Sequence, residues 1–503
     1  MSTGNFLNIF NFRNYTLLKL FIISLIFLSF VNTQIQSPPN DELVTGPLTE
    51  EAHLEIKNSF EKIKNYILNN KESISSIEKS FLSDYQSGSN PITDHKDGII
   101  CKGCLKLYSS IQSILLKKYG WSVLFEFVTL LCSLGLNKAV CSNYIHAYGE
   151  TVTTSLIEHY LNAELICTYT FMCRYKHFNT LNADDFARAI LTDKPNLENS
   201  DFGVINTSAP VWKALHVADI HVDLQYEVGS RGLCPYQLCC RRESKLERDQ
   251  ISTYNHTLAG KFGFVGLCDI PITTLENFAA KVFNEIKPDF IIWTGDNPGH
   301  DAYDRSAFEV AKIFTEMIKY KYNYTLPVYP SLGNHEKYPA DEYNPFNYTQ
   351  EKDFLTSYGD LFKDWLGEEA YQDFIKFGAY TKLHPGSNLR IISTNCMLCD
   401  VIDFYLIRNP TDPQSQIEWT EKIFRQAEKD GEVIYLISHI PTGDVSFLSE
   451  CAKRWKALIE RFSHMIRGQF YGHTHFDEVK VMTNYFNKTQ ASSVSYIAPS
   501  LTT

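Results

Sequence analysis

Lys213-Ala-Leu-His-Val-Ala-Asp-Ile-His221 is a short apolar run that ends in an aspartate and, two residues on, a histidine. Similar runs recur downstream: Phe290 to Trp293, Leu326 to Tyr329, Leu389 to Ser393, Val433 to Ser438, and Phe470 with Tyr471. Helix-period stretches separate them, and this alternation predicts a layered α/β domain. Nearly every run closes on a polar cluster containing His, Asp or Asn, where sheet enzymes carry their chemistry.

Five short motifs make up those clusters: Asp219-Ile-His221, Gly295-Asp296, Gly333-Asn334-His335-Glu336, His439, and Gly472-His473-Thr474-His475. A lone Asp-x-His or a single buried histidine is usually structural, and His216, inside an apolar run, reads as core. Five such motifs in one domain have little packing rationale and read as a site. In extended backbone, residues i and i+2 point the same way, so Asp219 with His221, and His473 with His475, are each expected to present two ligands together. Glycines ahead of Asp296, Asn334 and His473 are expected to permit tight turns. Mixed carboxylate, amide and imidazole ligands suit borderline divalent metals such as Zn, Mn or Fe. Two such ions about 4 Å apart can clamp the attacking and leaving oxygens of a phosphorus centre.

The 503-residue chain is too long for one ordinary domain, and 44% hydrophobic residues with 21% charged supply a core for more than one. A net charge of -11 gives no electrostatic reason to seek nucleic acid. Arg13 and Lys19 precede an apolar run from Leu20 to Val31, which reads as a secretory signal over residues 1–33 and is too short to span a bilayer. Export accounts for thirteen cysteines and predicts a secreted or lysosomal protein. Sequons at Asn206, Asn255, Asn323, Asn347 and Asn487 are consistent with that route.

Residues 34–96 are polar, with one amphipathic helix candidate carrying Ile56, Phe60, Ile63 and Ile67. Residues 97–177 then hold Cys101, Cys104, Cys132, Cys141, Cys167 and Cys173 in helix-period sequence. Leu105, Tyr108, Ile111 and Leu115 form one apolar stripe there, and Val140, Tyr144 and Tyr148 another. The segment reads as a small helical bundle tied by three bridges, whose pairing the spacing leaves open. A polar linker, 178–210, leads to a catalytic segment at 211–503.

The cysteine pattern resembles a saposin-type domain, a lipid-handling fold. That resemblance implies Cys101 with Cys173, Cys104 with Cys167, and Cys132 with Cys141. The five motifs in their order resemble the calcineurin-like metallophosphoesterase family, and within it the acid sphingomyelinase branch. The likeness extends to Cys234-Pro-Tyr-Gln-Leu-Cys239-Cys240, Cys268-Asp-Ile-Pro271, Asn297-Pro-Gly-His300-Asp301 and His439-Ile-Pro-Thr-Gly443. It implies an α/β fold, a layered β-sandwich flanked by helices, with a small all-α disulfide-linked saposin-like domain. It further implies Asp219, His221 and His475 on a first metal, Asn334, His439 and His473 on a second, and Asp296 bridging them. Zinc is the expected ion. His300 and His335 would act as proton donor and charge stabilisers, and Cys234–Cys239, Cys240–Cys268 and Cys399–Cys451 would be paired, leaving Cys396 over. The implied activity is hydrolysis of sphingomyelin to ceramide and phosphocholine by a monomer that meets its sphingolipid and the membrane surface through the helical domain. The competing readings are a related secreted phosphodiesterase for nucleotides or other soluble diesters, and a non-catalytic lipid-binding protein. Two departures stand out: the chain stops at Thr503 where the family continues, and Asp400-Val-Ile-Asp403 is less polar than the family's loop there.

Overall fold

The structure is a computed structural model, and it describes residues 138–160, 182–196, 211–234, 236–242, 258–301 and 306–502, with a few more between 125 and 133. Described residues up to 145 fall in one compact unit and those from 146 onward in another. In the first, a disulfide joins Cys132 to Cys141. Cys101, Cys104, Cys167 and Cys173, with the stripe at 105–115 and the helix candidate at 56–67, lie outside the described residues. Helix α1 (Lys138–Tyr160) buries Cys141, Ile145, Tyr148 and Val152, a stripe at helical spacing. That stripe is turned by one residue from the expected one, because Val140 and Tyr144 are only half-buried.

Helix α2 (Ala183–Leu191) is capped by the Asn182 side chain. The strands that follow form two sheets. β1 (Ala214–Val217), β2 (Phe290–Trp293) and β3 (Val328–Pro330) are parallel and adjacent in that order. The second sheet runs β4 (Tyr380–Leu383), β5 (Leu389–Ser393), β6 (Val433–Ile437), β7 (Ile466–Tyr471), then β9 (Ala491–Ile497) and β8 (Glu478–Thr483) at the edge. Strands β5, β6, β7 and β9 are parallel, while β4 and β8 pair antiparallel with their neighbours.

Strand alternation assigns the two faces. Phe290 and Ile292 of β2 join Tyr329, Leu389, Ile391 and Ile437 in a cluster between the sheets. Ile291 and Trp293, pointing the other way, join Ile392, Ile434 and Leu436 in the larger helix-covered core. Every residue of β2 is buried, as expected of a central parallel strand packed on both faces. The helices are α3 (Ile272–Lys281), α4 (Ala307–Glu316), α5 (Tyr348–Phe377), α6 (Gln416–Asp430) and α7 (Ser449–Arg461). They contribute Leu275, Phe314, Phe362, Phe374, Phe424 and Trp455 to that core. The result is the expected sandwich with helices outside. No helix among the described residues is long and apolar enough to cross a membrane.

Candidate metal centre

All five motifs sit just past the C-terminal ends of parallel strands: Asp219 and His221 after β1, Asp296 after β2, Asn334 after β3, His439 after β6, and His473 and His475 after β7. Both sheets therefore deliver side chains to one edge of the sandwich. The expected mode of delivery is corrected by the backbone. Asp219, His221, Asp296, His473 and His475 all have positive φ, 52, 44, 58, 76 and 64°. Left-handed turns, and not strand alternation, aim the paired ligands. Eleven described non-glycine residues have such φ, and these five are among them; each costs on the order of 1 kcal/mol, a concentration that marks a functional site.

The glycines also act otherwise than expected. Only Gly295, φ 89°, needs its conformational freedom. A Cβ on Gly333 would collide with the Asp296 side chain, and one on Gly472 with Asp219, so both permit close approach.

The ligand atoms converge. Nε2 of His221 lies 3.7 Å from Asp219 Oδ1 and 3.7 Å from Asp296 Oδ2, and Nε2 of His475 lies 3.5 Å from Asp219 Oδ1. Nε2 of His439 is 3.0 Å from Asp296 Oδ2, and His473 Nδ1 is 3.2 Å from Asn334 Oδ1. Ligand atoms of Asp219, His221 and Asp296 form one tight group, and those of Asp296, His439 and His473 another, so Asp296 is common to both.

The chemistry of these contacts fits cations. His221 uses Nδ1 on the Pro298 carbonyl at 2.8 Å and His439 uses Nδ1 on that of Thr294 at 2.7 Å, which leaves each Nε2 as a lone pair facing inward. The His439 Nε2 is buried without a hydrogen-bond partner beside two carboxylates. His221 and His475 bring their Nε2 atoms within 3.1 Å of each other. Imidazoles packed against two buried carboxylates and against one another call for positive charge, which a cation or a shared proton supplies. The electrostatics show how negative the pocket is: burial opposes a proton on His439, yet Asp296 and Asp219 raise its pKa to about 10, so the same carboxylates that would attract a cation here favour a proton on that imidazole. Burial lowers the pKa of His475 to about 4 and that of His473 to about 3, favouring the neutral form that a metal requires. The cluster is a divalent-metal site.

Two further histidines stand beside it. The His300 ring stacks on His221 with centroids 3.8 Å apart, and His335 meets both rings edge-on at 5.4 and 5.1 Å. Asp269 grips His300, taking its backbone N–H at 2.6 Å and contacting Nδ1 at 2.8 Å. Burial disfavours the imidazolium of His300, but the Asp269 carboxylate outweighs it and the pKa is raised.

Several residues that shape the site were not singled out in the sequence. Glu336 accepts from the backbone N–H of Asp296 and Asn297 and from that of Gly333, tying β2's turn to β3's. Asp341 accepts from Asn334 Nδ2 at 2.8 Å, which turns that amide's oxygen toward His473. Thr502 donates to Asp269, and Ser500 to the Asp219 carbonyl. Only Glu336 carried a signal, as the last letter of Gly-Asn-His-Glu; the rest become neighbours only in three dimensions.

Disulfides join Cys234 to Cys239, Cys240 to Cys268 and Cys399 to Cys451, while Cys396 is free and buried. His216 is half-buried, its Nε2 3.2 Å from Thr294 Oγ1. Asp400 and Asp403, in the departing loop, are buried. Asn323, Asn347 and Asn487 are exposed, and Asn206 and Asn255 lie outside the described residues.

Residues 213–477, just over half of the chain, match the calcineurin-like phosphoesterase family. Sphingomyelin phosphodiesterase B of Dictyostelium discoideum is 29% identical over 81% of this chain and 64% of its own length. Sphingomyelin phosphodiesterase of Homo sapiens is 28% identical over 80% and 63%. A cyclic GMP-AMP phosphodiesterase of Mus musculus is 32% identical over 57% and 63%. The chain thus spans a little under two-thirds of these relatives' lengths.

Proposed function

The chain belongs to the calcineurin-like phosphoesterase family, and from that premise we propose that it is a two-metal phosphodiesterase hydrolysing sphingomyelin to ceramide and phosphocholine. The observation that carries this reading is the convergence of histidine and carboxylate ligand atoms around Asp219 and Asp296, with His300 and His335 beside it. One cation would be held by Asp219, His221 and His475, a second by Asn334, His439 and His473, with Asp296 shared; zinc suits this mixed ligand set. Such a pair would activate the attacking water and neutralise charge on the phosphoryl oxygens.

The remaining work belongs to side chains. Attack on phosphorus breaks the bond to the ceramide oxygen, a poor leaving group until it is protonated. His300, whose protonated form the Asp269 carboxylate favours, is placed to give that proton, and His335 to stabilise the charge that builds on the phosphoryl group. The substrate is favoured over a soluble diester by the reach of the similarity. From residue 213 onward the chain has 291 residues, about 58% of it, so a match over 81% must run back into the cysteine-bearing helical segment. The match to the cyclic dinucleotide enzyme, 57%, needs none of that segment, and neither does that to sphingomyelin phosphodiesterase of Bos taurus, 58%, so the support comes from the matches that do reach it, over 81% and 80%. We further assign that segment to a saposin-like domain meeting the membrane, on a glycosylated protein exported to the lysosome or outside the cell.

The deciding assay offers purified protein choline-labelled sphingomyelin and a cyclic dinucleotide, each with chelator and with added zinc. Chelator-sensitive release of phosphocholine, restored by zinc, is expected. Turnover of the dinucleotide alone would overturn the lipid assignment, and chelator-resistant turnover would overturn the metal pair.

A further inference from the structure

Between β1 and β2 the chain makes two loops, 224–242 and 258–268, pinned by Cys234–Cys239 and Cys240–Cys268. Backbone bonds lock them together: Cys239 N–H to the Leu267 carbonyl at 2.6 Å, Cys240 N–H to that of Arg231 at 2.7 Å, Gly229 N–H to that of Ala259 at 2.8 Å. Cys239, Cys240, Ala259 and Cys268 form a small core of their own, with Phe264 packed against it. Gly232 and Gly266 both press on the Phe264 ring, so this one aromatic fills the inward slot. The neighbours of these residues point out. Leu233 is 48% exposed, Phe262 54%, Val265 82% and Leu267 48%. A frame this constrained cannot fold them inward, and apolar side chains held rigidly in water mark an interaction surface.

Charge indicates what the surface meets. On a chain of net charge -11, the exposed charges of the described loops are cationic, Arg242 and Lys261; Arg231 and Glu227 are half-buried and partnered, and Arg241 is engaged by Asp223 and Asp301. Lys261 Nζ lies 5.3 Å over the Phe262 ring, which puts a cation and an aromatic side by side. Apolar tips flanked by amines suit the boundary between acyl chains and phosphate headgroups. The frame also touches the site, because Gln237 Nε2 donates to the His300 carbonyl at 2.6 Å.

We infer that these disulfide-pinned loops are a bilayer-contacting surface in their own right, selective for membranes bearing anionic phospholipid. The catalytic unit then docks its mouth on the membrane without depending on the helical domain. The inference rests on the lipid-substrate reading for its purpose, but not for its test.

The test uses the full chain and co-sedimentation with vesicles of phosphatidylcholine, alone or mixed with phosphatidylserine. Turnover of bis(p-nitrophenyl) phosphate in solution monitors fold and metal centre. Phe262→Ser, Val265→Ser and Leu267→Ser together are expected to weaken binding to both vesicle types by about tenfold or more. Soluble turnover should stay at the wild-type level. Arg242→Glu with Lys261→Glu is expected to weaken binding to the mixed vesicles only. Wild-type binding by the triple variant, with soluble turnover intact, overturns the inference. Should the triple variant lose soluble turnover through misfolding, the charge variant decides: undiminished binding to anionic vesicles overturns it. Wild-type protein that sediments with neither vesicle type overturns it as well. Failure of the phosphodiesterase reading appears separately, as wild-type protein inert toward the soluble diester.

Discussion

The two sheets equip the metal centre differently. The three-stranded sheet ends in Asp219, His221, Asp296 and Asn334, all buried, and supplies both carboxylates. The six-stranded sheet supplies imidazoles alone: His439, which is buried, and His473 and His475, half-exposed on the rim. One side is a buried floor that carries the carboxylates, the other a wall of imidazoles that reaches the rim at His473 and His475. Loss of a floor carboxylate removes the charge that draws the cations, whereas a lost rim imidazole can be replaced by water.

The largest expected effect comes from breaking the floor. Asp296→Ala should lower turnover by at least about a thousandfold and empty both metal positions, as counted by elemental analysis. His475→Ala should cost about a hundredfold at most and leave one metal bound. Equal losses in the two variants would erase the distinction between floor and rim.

A smaller effect tests how the floor is oriented. Asp341 holds the Asn334 amide. Asp341→Ala should lower turnover by about tenfold to a hundredfold and reduce occupancy of one metal only, while Asp341→Asn, which keeps an acceptor oxygen, should recover most of the loss. Equal damage in both variants would show that the contact does not orient the amide.

The smallest effect concerns stability. Glu342, on the same side of the molecule, is buried and takes a hydrogen bond from Thr151 at 2.8 Å; burial raises its pKa from 4.5 to about 8. The folded value lies above the unfolded one. Its contribution is therefore fully present below about pH 4.5 and is lost as pH rises through about 8, by up to about 1.4 kcal/mol per pH unit. Glu342→Gln should flatten the fall of melting temperature across that window, and an unchanged slope would remove Glu342 as its cause.

What could be read from residues alone follows from how local each signal is. Phe290 to Trp293 and Leu389 to Ser393 are strands to the residue, because short β-branched and aromatic runs bounded by polar clusters, the second interrupted only by Arg390, have few other readings. Strands β4, β8 and β9 were not foreseen: Tyr380-Thr-Lys-Leu383 is short and half-polar, and Ala491-Ser-Ser-Val-Ser-Tyr-Ile497 is serine-rich. The seven proposed ligands were nameable because five short motifs at the ends of apolar runs concentrate unusual residues in a few positions. The left-handed backbone of five of them was not, since φ is imposed by the closing of the site. Asp269 and Asp341 stand 31 and 7 residues from the side chains they hold, and nothing local announces either.

The seam between the sheets has a consequence beyond turnover. Each proposed cation takes ligands from both layers: Asp219 and His221 meet His475, and Asn334 meets His439 and His473. A bound ion is then a rivet through the sandwich, worth about 4 kcal/mol when its free concentration is a thousand times its Kd. Catalyst and fastener would then be the same two atoms, and a preparation that melts early would be one that has also shed its chemistry.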